Sequence, residues 1–369
     1  MNQLFRWDQM GLFLLALAAG ILPFAVPEVC AAALREGLTL CSGPLLLSLF
    51  PFLVVSRLLI QCPESDLLAL PFRLAAWGIG IRTPCAARVL CIGFLGGFAP
   101  AASAAAQAVR TGQLTAEEAD ALLPACICSG PSFVVLTVGQ SLLGSAELGV
   151  LLFASQITAN YLTAALLNRF AGVHSVKPGS AAPASPAPPR LDEILADAAI
   201  TYCKLCGFIL FFRLLAAGAG ALLPAGVGTL CAILLEVCSG CDLASRTGWW
   251  GSLLCCAALS VQGLSVLLQV RTICPPEMTL RPLYRARMLH LPLSLALFYL
   301  LLPGGEADVF STLPARVLLM RRVPPDCALL VFAVCCMAAC TLRSGIRQVE
   351  QKQMARNAGG CCINSKTLL

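Results

Sequence analysis

The chain has 369 residues, 58% of them hydrophobic and 12% charged, with a mean hydropathy of +0.84. Soluble domains carry about 25% charged residues, so this composition excludes a protein whose whole surface faces water. It predicts an all-α polytopic membrane protein, because backbone exposed to lipid must satisfy its own hydrogen bonds within helices. The net charge of +6 indicates a positive-inside orientation rather than binding to nucleic acid.

Apolar runs recur along the whole chain and approach the roughly 20 residues that a helical span needs. The long runs are residues 11–27, 38–60, 146–167, 194–217, 219–237 and 252–270, and the shorter or broken ones are 89–109, 119–143, 289–302 and 328–339. Together they predict about 8 to 10 membrane segments. We expect residues 11–27 to stay as a membrane helix, since this run is longer than the apolar core of a usual signal peptide.

Basic residues gather in three stretches, which are residues 169–190, residues 271–287 and the tail from residue 343. The positive-inside rule places all three stretches on the cytoplasmic side of the membrane, and Arg287 with them. Three more arginines between residues 316 and 322 fall in a loop that strict alternation places outside. That loop is either an interfacial stretch or a sign that one span is miscounted.

A weak internal repeat divides the chain into two halves. Residues 51–59, 93–103 and 128–136 align in order on residues 207–215, 235–245 and 261–269, at offsets of 156, 142 and 133 residues. The segment between the halves is rich in Pro, Ala and Ser, a composition that forms extended linkers. The predicted organisation is a helix and loop (1–37), a first repeat (38–170), the linker (171–190), a second repeat (191–302), a C-terminal loop and helix (303–342) and a basic tail (343–369).

Glycine and proline interrupt the first short apolar run. Gly96, Gly97 and then Pro100 cannot form a comfortable uninterrupted helix. Beyond the interruption, Ser103 and Gln107 lie four residues apart and share one helix face. The alternative is that the glycines only allow close packing between helices, as small residues do in membranes.

The most specific local signal is the step Ser129-Gly130-Pro131-Ser132 inside an apolar run. It frees backbone amides and carbonyls, which at membrane depth are tolerated only where protein or a water-filled cavity lines them. The rival interpretation is a proline kink whose freed groups bond to the serine hydroxyls. Shortly before this step, Thr115 and Glu118 have the spacing of a capping box, which predicts a helix start.

The second half carries polar groups at corresponding places. Glu236 and Ser239 end an apolar run, and the carboxylate lies either in a cavity, where it would be functional, or at the membrane interface, where it would cost little. Gln262, Ser265 and Gln269 share one face if their segment stays helical, and Gly263 lies between them. Amides and hydroxyls on one face suit an uncharged polar ligand, and hydrogen bonds between helices would use the same groups.

No motif supports an enzyme. The chain lacks a phosphate-binding loop, an H-E-x-x-H motif and a Gly-x-Ser-x-Gly motif, so we predict no catalytic residue and no cofactor. Most of the 21 cysteines lie in apolar runs and are read as small apolar residues, with no metal site at the two C-x-x-C pairs (Cys203/Cys206 and Cys238/Cys241). Arg57 and Arg213 occupy matching places near the ends of two long helices, where reaching toward the membrane surface is preferred over contacting an anion.

Six short motifs carry a family likeness: PFL at 51–53, GFLGGFAP at 93–100, GQLT at 112–115, SGPSF at 129–133, LEVCSG at 235–240 and QGLSV at 262–266. In their order and spacing they resemble the YlbJ-type sporulation integral membrane proteins of spore-forming Firmicutes, which carry the nucleoside-recognition (Gate) domain also found in relatives of concentrative nucleoside transporters. The likeness covers residues 38–302. One departure is that Phe98 replaces the tyrosine of the family's Gly-Tyr-Pro-x-Gly step; another is that Leu267 and Leu268 precede Gln269 where the family often has a His. Both make the site less polar.

The resemblance implies a nucleoside-transporter-like fold with broken or re-entrant helices, located in the bacterial cell membrane, specifically in a membrane of the developing spore. It implies a permease-like role for a small, nucleoside-like polar solute during the formation of heat-resistant spores, passive or coupled to an ion because no ATP site is present. The alternative is a non-transporting assembly protein that holds spore-membrane partners or copies of itself. The candidate substrate-binding residues are Gly96, Gly97, Phe98, Pro100, Gln107, Ser129, Gly130, Pro131, Ser132, Glu236, Ser239, Gln262, Gly263, Ser265 and Gln269.

Overall fold

A computed structural model describes residues 2–61, 63–171 and 191–302, and every regular element within those ranges is helical. The linker from residue 172 and the predicted C-terminal loop, helix and tail lie outside the described residues. Two short 3₁₀ turns cover Pro63–Asp66 and Gly248–Trp250. The helices are α1 Asn2–Ala25, α2 Pro27–Ser42, α3 Pro44–Gln61, α4 Leu70–Gly78, α5 Pro84–Gly96, α6 Phe98–Arg110, α7 Ala116–Cys126, a π-helix Ser132–Leu142, α8 Ala146–Ala171, α9 Leu191–Leu222, α10 Ala225–Leu235, α11 Val237–Ser245, α12 Gly251–Val261, α13 Gly263–Ile273 and α14 Arg281–Leu301.

Four helical stretches in the described ranges are long and apolar enough to cross a membrane: Pro27–Gln61, Ala146–Ala171, Leu191–Leu222 and Gly248–Ile273. Large apolar side chains such as Leu47 cover much of the outer surface of these and other helices. Such a surface suits lipid and not water. The chain is therefore an all-α protein with the features of a multi-pass membrane protein.

One expected span is divided by the fold. Residues 219–237 were expected to form one apolar helix, but α9 ends at Leu222 and α10 begins at Ala225. Pro224 lies between the two helices as the N-terminal cap of α10, where its ring and missing N–H prevent α9 from continuing.

Two pairs of short helices fold back on themselves as hairpins. The first hairpin, α5–α6, turns at Gly97, whose φ of 81° suits glycine. Its two arms pack closely, since a Cβ on Gly93 would lie 3.2 Å from the Cβ of Ala101. The second hairpin, α10–α11, turns at Glu236, where a Cβ on Gly240 would lie 2.8 Å from the Cα of Ile233. Each arm has between 9 and 13 residues, so it reaches only about halfway through a bilayer. The expected broken segment at residues 89–109 is thus a hairpin.

Two further helix pairs are interrupted without folding back. Helix α7 ends at Cys126, and the π-helix starts after Pro131, at Ser132. Helices α12 and α13 are separated by Gln262 alone, which has a left-handed φ of 64°. Eleven residues lie on each side of that break, which places Gln262 about 16 Å from either end of the pair. In a spanning orientation, the break lies near the middle of the bilayer.

Helices α2 and α3 run antiparallel to α9 along the side of the molecule. Arg57 of α3 pairs with Asp197 near the start of α9, and Arg213 farther along α9 pairs with Glu36 of α2 at 2.7 Å. Both arginine side chains are 11% exposed. The two ion pairs connect α9 to α3 and to α2, and because both acids are mostly exposed, the expectation that the arginines reach toward the membrane surface stays a prediction.

Candidate functional site

The four interruptions meet in pairs at the centre of the helix assembly. A Cβ on Gly97, at the tip of the first hairpin, would lie 2.7 Å from the backbone nitrogen of Gly130 in the α7–π-helix break. A Cβ on Gly263, in the α12–α13 break, would lie 2.9 Å from the backbone nitrogen of Glu236 at the tip of the second hairpin. Each hairpin tip therefore packs directly against the backbone of one broken helix, at a distance that only glycine permits.

A cavity of about 60 Å³ opens between these interruptions. This volume accommodates a few water molecules, roughly four at 15 Å³ each. Both halves of the chain contribute to its wall, and so do α3 and α9. The lining residues are Leu45, Leu49, Leu95, Gly96, Phe98, Ser129, Gly130, Ser132, Phe133, Ile209, Glu236, Val237, Cys238, Val266 and Gln269.

Glu236 lines this cavity and is 2% exposed. Its carboxylate accepts hydrogen bonds from the backbone N–H groups of Cys238 (2.8 Å) and Ser239 (2.7 Å), and so caps the N-terminus of α11. The helix dipole favours a negative charge at this position. The interfacial alternative for Glu236 is wrong, because the side chain lies at the buried tip of a hairpin.

Gln269 supplies a polar group to the cavity from the broken helix opposite. Its amide Nε2 donates to the hydroxyl of Ser265 at 2.9 Å, one turn earlier in α13. Its Oε1 is buried and accepts no hydrogen bond from any described residue. A buried acceptor left unsatisfied costs about 1–3 kcal/mol, so Oε1 is a ready partner for a donor group entering the cavity.

Gln262 joins the two halves beside the cavity. Its Nε2 donates to the Ser129 hydroxyl at 3.2 Å and to the Leu259 carbonyl, while its Oε1 is buried without a partner among the described residues. The segment does not stay helical through Gln262, so the condition under which it would share a helix face with Ser265 and Gln269 is not met. The left-handed backbone at Gln262 ends α12, so only the other two residues lie on one face of α13.

The remaining candidates differ in how near they lie to the cavity. Pro131 caps the π-helix, and Pro100 is buried in α6 behind the hairpin tip, where its ring meets Gly96. Gln107 does not line the cavity. It lies ten residues beyond Gly97 in α6, about 15 Å along the helix, and the shared face with Ser103 does not bring it to the site.

A buried polar cluster behind the two broken helices was missed by the sequence reasoning. Arg287 of α14 is 7% exposed and bonds to the carbonyls of Ile127 (2.7 Å) and Ser260 (3.3 Å) and to Asn160 Oδ1 (3.2 Å). Neighbouring helices enclose Arg287, so it is not one of the exposed charges of its basic stretch, and the side of the membrane on which that stretch lies stays a prediction. A usable signal was present in α8, where Gln156, Asn160 and Thr163 recur at helical spacing within an apolar run.

Neither a known protein family, nor a curated protein, nor a solved structure matches this chain. Within the described ranges, His, Cys, Asp and Glu side chains form no group of three that could hold a metal ion. The arrangement of the site, with two hairpin tips, two broken helices and a small cavity between them, is thus the basis for assigning a function.

Proposed function

We propose that the chain is a permease-type membrane protein that binds a small polar solute in the cavity between the hairpin tips and the broken helices. The observation that carries the proposal is the unsatisfied Oε1 of Gln269, buried in the wall of a cavity that also contains the Glu236 carboxylate. An ionisable group such as the Glu236 carboxylate is costly inside a membrane protein and marks a solute or ion pathway by default.

The order of elements supports a duplicated transporter architecture. Helix α3, the first hairpin, the α7–π-helix pair and α8 are followed by α9, the second hairpin, the α12–α13 pair and α14 in the same sequence. Gly130 and Gly263 contact the two hairpin tips and are 133 residues apart, the offset of the third sequence match. The hairpin tips, Gly97 and Glu236, are 139 residues apart. The second sequence match, which aligns residues 93–103 on 235–245 at an offset of 142, therefore misses the structural alignment of the tips by three residues. Interrupted segments at corresponding places are typical of midplane binding sites.

The lining suggests how a solute would be held. Phe98, Phe133 and Val266 offer apolar contacts, and the polar side chains of Glu236 and Gln269 lie in the same wall. This combination fits a small solute with an apolar face and hydrogen-bond donors. A nucleoside, the class that the family resemblance implies, needs a larger space than about 60 Å³, so its entry requires the hairpin tips to move away from the broken helices.

Transport in liposomes tests the proposal directly. The purified full chain is reconstituted, and uptake of radiolabelled nucleosides, nucleobases and amino acids is measured with and without a sodium or proton gradient. Gln269→Leu should lower uptake of the active solute at least about tenfold, because it removes the unsatisfied acceptor. Gln140→Leu is the matched control, since Gln140 is exposed on the π-helix. If none of these solute classes is taken up, the proposal is overturned.

A role in sporulation is the second part of the proposal and rests on the family resemblance alone. Complementation of a strain that lacks the cognate protein tests it, with heat-resistant spores counted at matched expression. Glu236→Ala, Gln269→Ala and Ser129→Ala should each reduce the spore count while membrane insertion stays intact. Full complementation by all three variants would favour the assembly role over transport.

A further inference from the structure

Two backbone carbonyls next to the cavity have lost their helical donors. In a continuous helix the carbonyl of Ile127 would accept from residue 131, but that residue is a proline and has no N–H. The carbonyl of Ser260 lies just before the left-handed Gln262 that ends α12. Both carbonyls belong to helix C-terminal ends, which carry partial negative charge.

Arg287 replaces both missing donors. One terminal nitrogen, Nη2, donates to the Ile127 carbonyl at 2.7 Å, and the other, Nη1, donates to the Ser260 carbonyl at 3.3 Å. Asn160 accepts from Nη2 through its Oδ1 and donates from Nδ2 to the same Ile127 carbonyl at 3.3 Å. The planar guanidinium thus spans two broken helices from a third helix, as its fork of donors allows.

Among the described residues, the charge of Arg287 is balanced by backbone carbonyls and not by an acid. None of the described ion pairs includes Arg287. Two helix C-termini contribute roughly half a negative charge each, which together offset one buried positive charge. The guanidinium is therefore stable while both helix ends stay in place, and it supplies a hydrogen-bond donor to each of them.

We propose that Arg287 is a positioning residue that clasps the α7–π-helix and α12–α13 breaks together, so that both walls of the cavity are held as one unit. Ile127 and Ser260 each lie three residues before the glycine that meets a hairpin tip, Gly130 or Gly263. On the cavity side the same two breaks are joined by the bond from Gln262 to Ser129. The importance of the clasp for solute binding rests on the proposed function, but the clasp itself does not.

Hydrogen–deuterium exchange of the full chain in detergent, without solute, tests the clasp. Arg287→Met should speed exchange about tenfold or more at the amides of residues 128–130 and, in the same sample, at residues 262–264. Exchange within α9 should stay unchanged, which separates loss of the clasp from general unfolding. Arg285→Met is the matched control, because Arg285 is exposed on the same helix two residues away.

Arg287→Lys is the second variant, and it serves as the test if Arg287→Met fails to fold, because it keeps the positive charge. A lysine ammonium is a point charge without the planar fork, so we expect protection at one break and fast exchange at the other. The clasp would be overturned if exchange at both breaks were unchanged in either variant. It would also be overturned if Arg287→Met sped exchange at only one of the two breaks. Since no solute is involved, these outcomes stand whether or not the liposome assay detects transport.

Discussion

The side chains of Gln262 and Ser129 meet at 3.2 Å across the centre of the molecule, although 133 residues separate them in the chain. Each residue lies in the break of a different helix, and each break packs against the tip of a different hairpin. The two hairpin tips are therefore connected through backbone contacts and one hydrogen bond.

Gly97→Ala should destabilise the first hairpin tip. The new Cβ would lie 2.7 Å from the Gly130 nitrogen, in a residue whose φ is 81°. Gly144→Ala is the matched control, because Gly144 has a φ of 75° but nothing within 4 Å of its Cβ position. We expect Gly97→Ala to cost about 2 kcal/mol more than the control, seen as a lower thermal midpoint of the detergent-solubilised chain. Equal midpoints would mean that the close contact has no energetic weight.

Gly263→Ala should act in the same way at the second hairpin tip. Its Cβ would lie 2.9 Å from the Glu236 nitrogen, at a φ of 69°. Gly248 has a similar φ of 64° and open space around its Cβ position, so Gly248→Ala measures the backbone strain alone. We expect the midpoint of Gly263→Ala to lie below that of Gly248→Ala by the equivalent of about 1–3 kcal/mol. A smaller loss in Gly263→Ala than in its control would contradict the packing of this tip.

Asp120→Ala should loosen the start of α14. The Asp120 carboxylate accepts from the backbone N–H groups of Thr279 (2.8 Å) and Leu280 (3.1 Å) and from the Thr279 hydroxyl (2.7 Å). Removing it leaves the buried N–H of Leu280 unsatisfied and frees the exposed Thr279, which should together cost about 1–3 kcal/mol in thermal stability. Glu117→Ala serves as the control because Glu117 is exposed on the same helix. If the two variants melt together, the carboxylate does not cap α14.

Arg213→Glu should weaken the contact between α9 and α2, and Glu36→Arg should restore it. The pair is 2.7 Å apart, but the Glu36 side chain is 65% exposed, so the attraction itself is worth only about 0–1 kcal/mol. The single variant places two acids together, which should lower the midpoint more than loss of the pair alone. A double-mutant cycle measures the coupling energy. A double variant no more stable than Arg213→Glu would show that the two side chains do not interact.

Several features of the site follow from local chemistry and could be predicted from the sequence. The breaks at Gly97 and at Ser129–Ser132, and the capping box of Thr115 and Glu118, are confirmed. Glycine and proline restrict the backbone wherever they occur, and a capping box needs only residues three apart, so neither depends on distant parts of the chain. The all-helical character follows in the same way from composition.

What each break does was decided only by tertiary structure. The break at Gly97 turns the chain back on itself. The break at Gln262 does not, because α12 and α13, together with the 3₁₀ turn Gly248–Trp250 that precedes them, form one stretch of 26 residues. Gln262 itself is not a glycine, and its left-handed backbone accompanies bonds to Ser129 and Leu259 that no local pattern contains.

The sequence by itself determined that the chain is helical, apolar on its outside and interrupted at particular residues. It did not determine that Arg287 is enclosed. Arg287 follows Arg281 and Arg285 near the start of a helix, and this pattern predicts one more surface charge. Its burial depends on the carbonyls of Ile127 and Ser260, which two separate breaks present to it. Local backbone preference acts over a few residues, while the stability of a buried charge depends on partners that only the folded chain brings together.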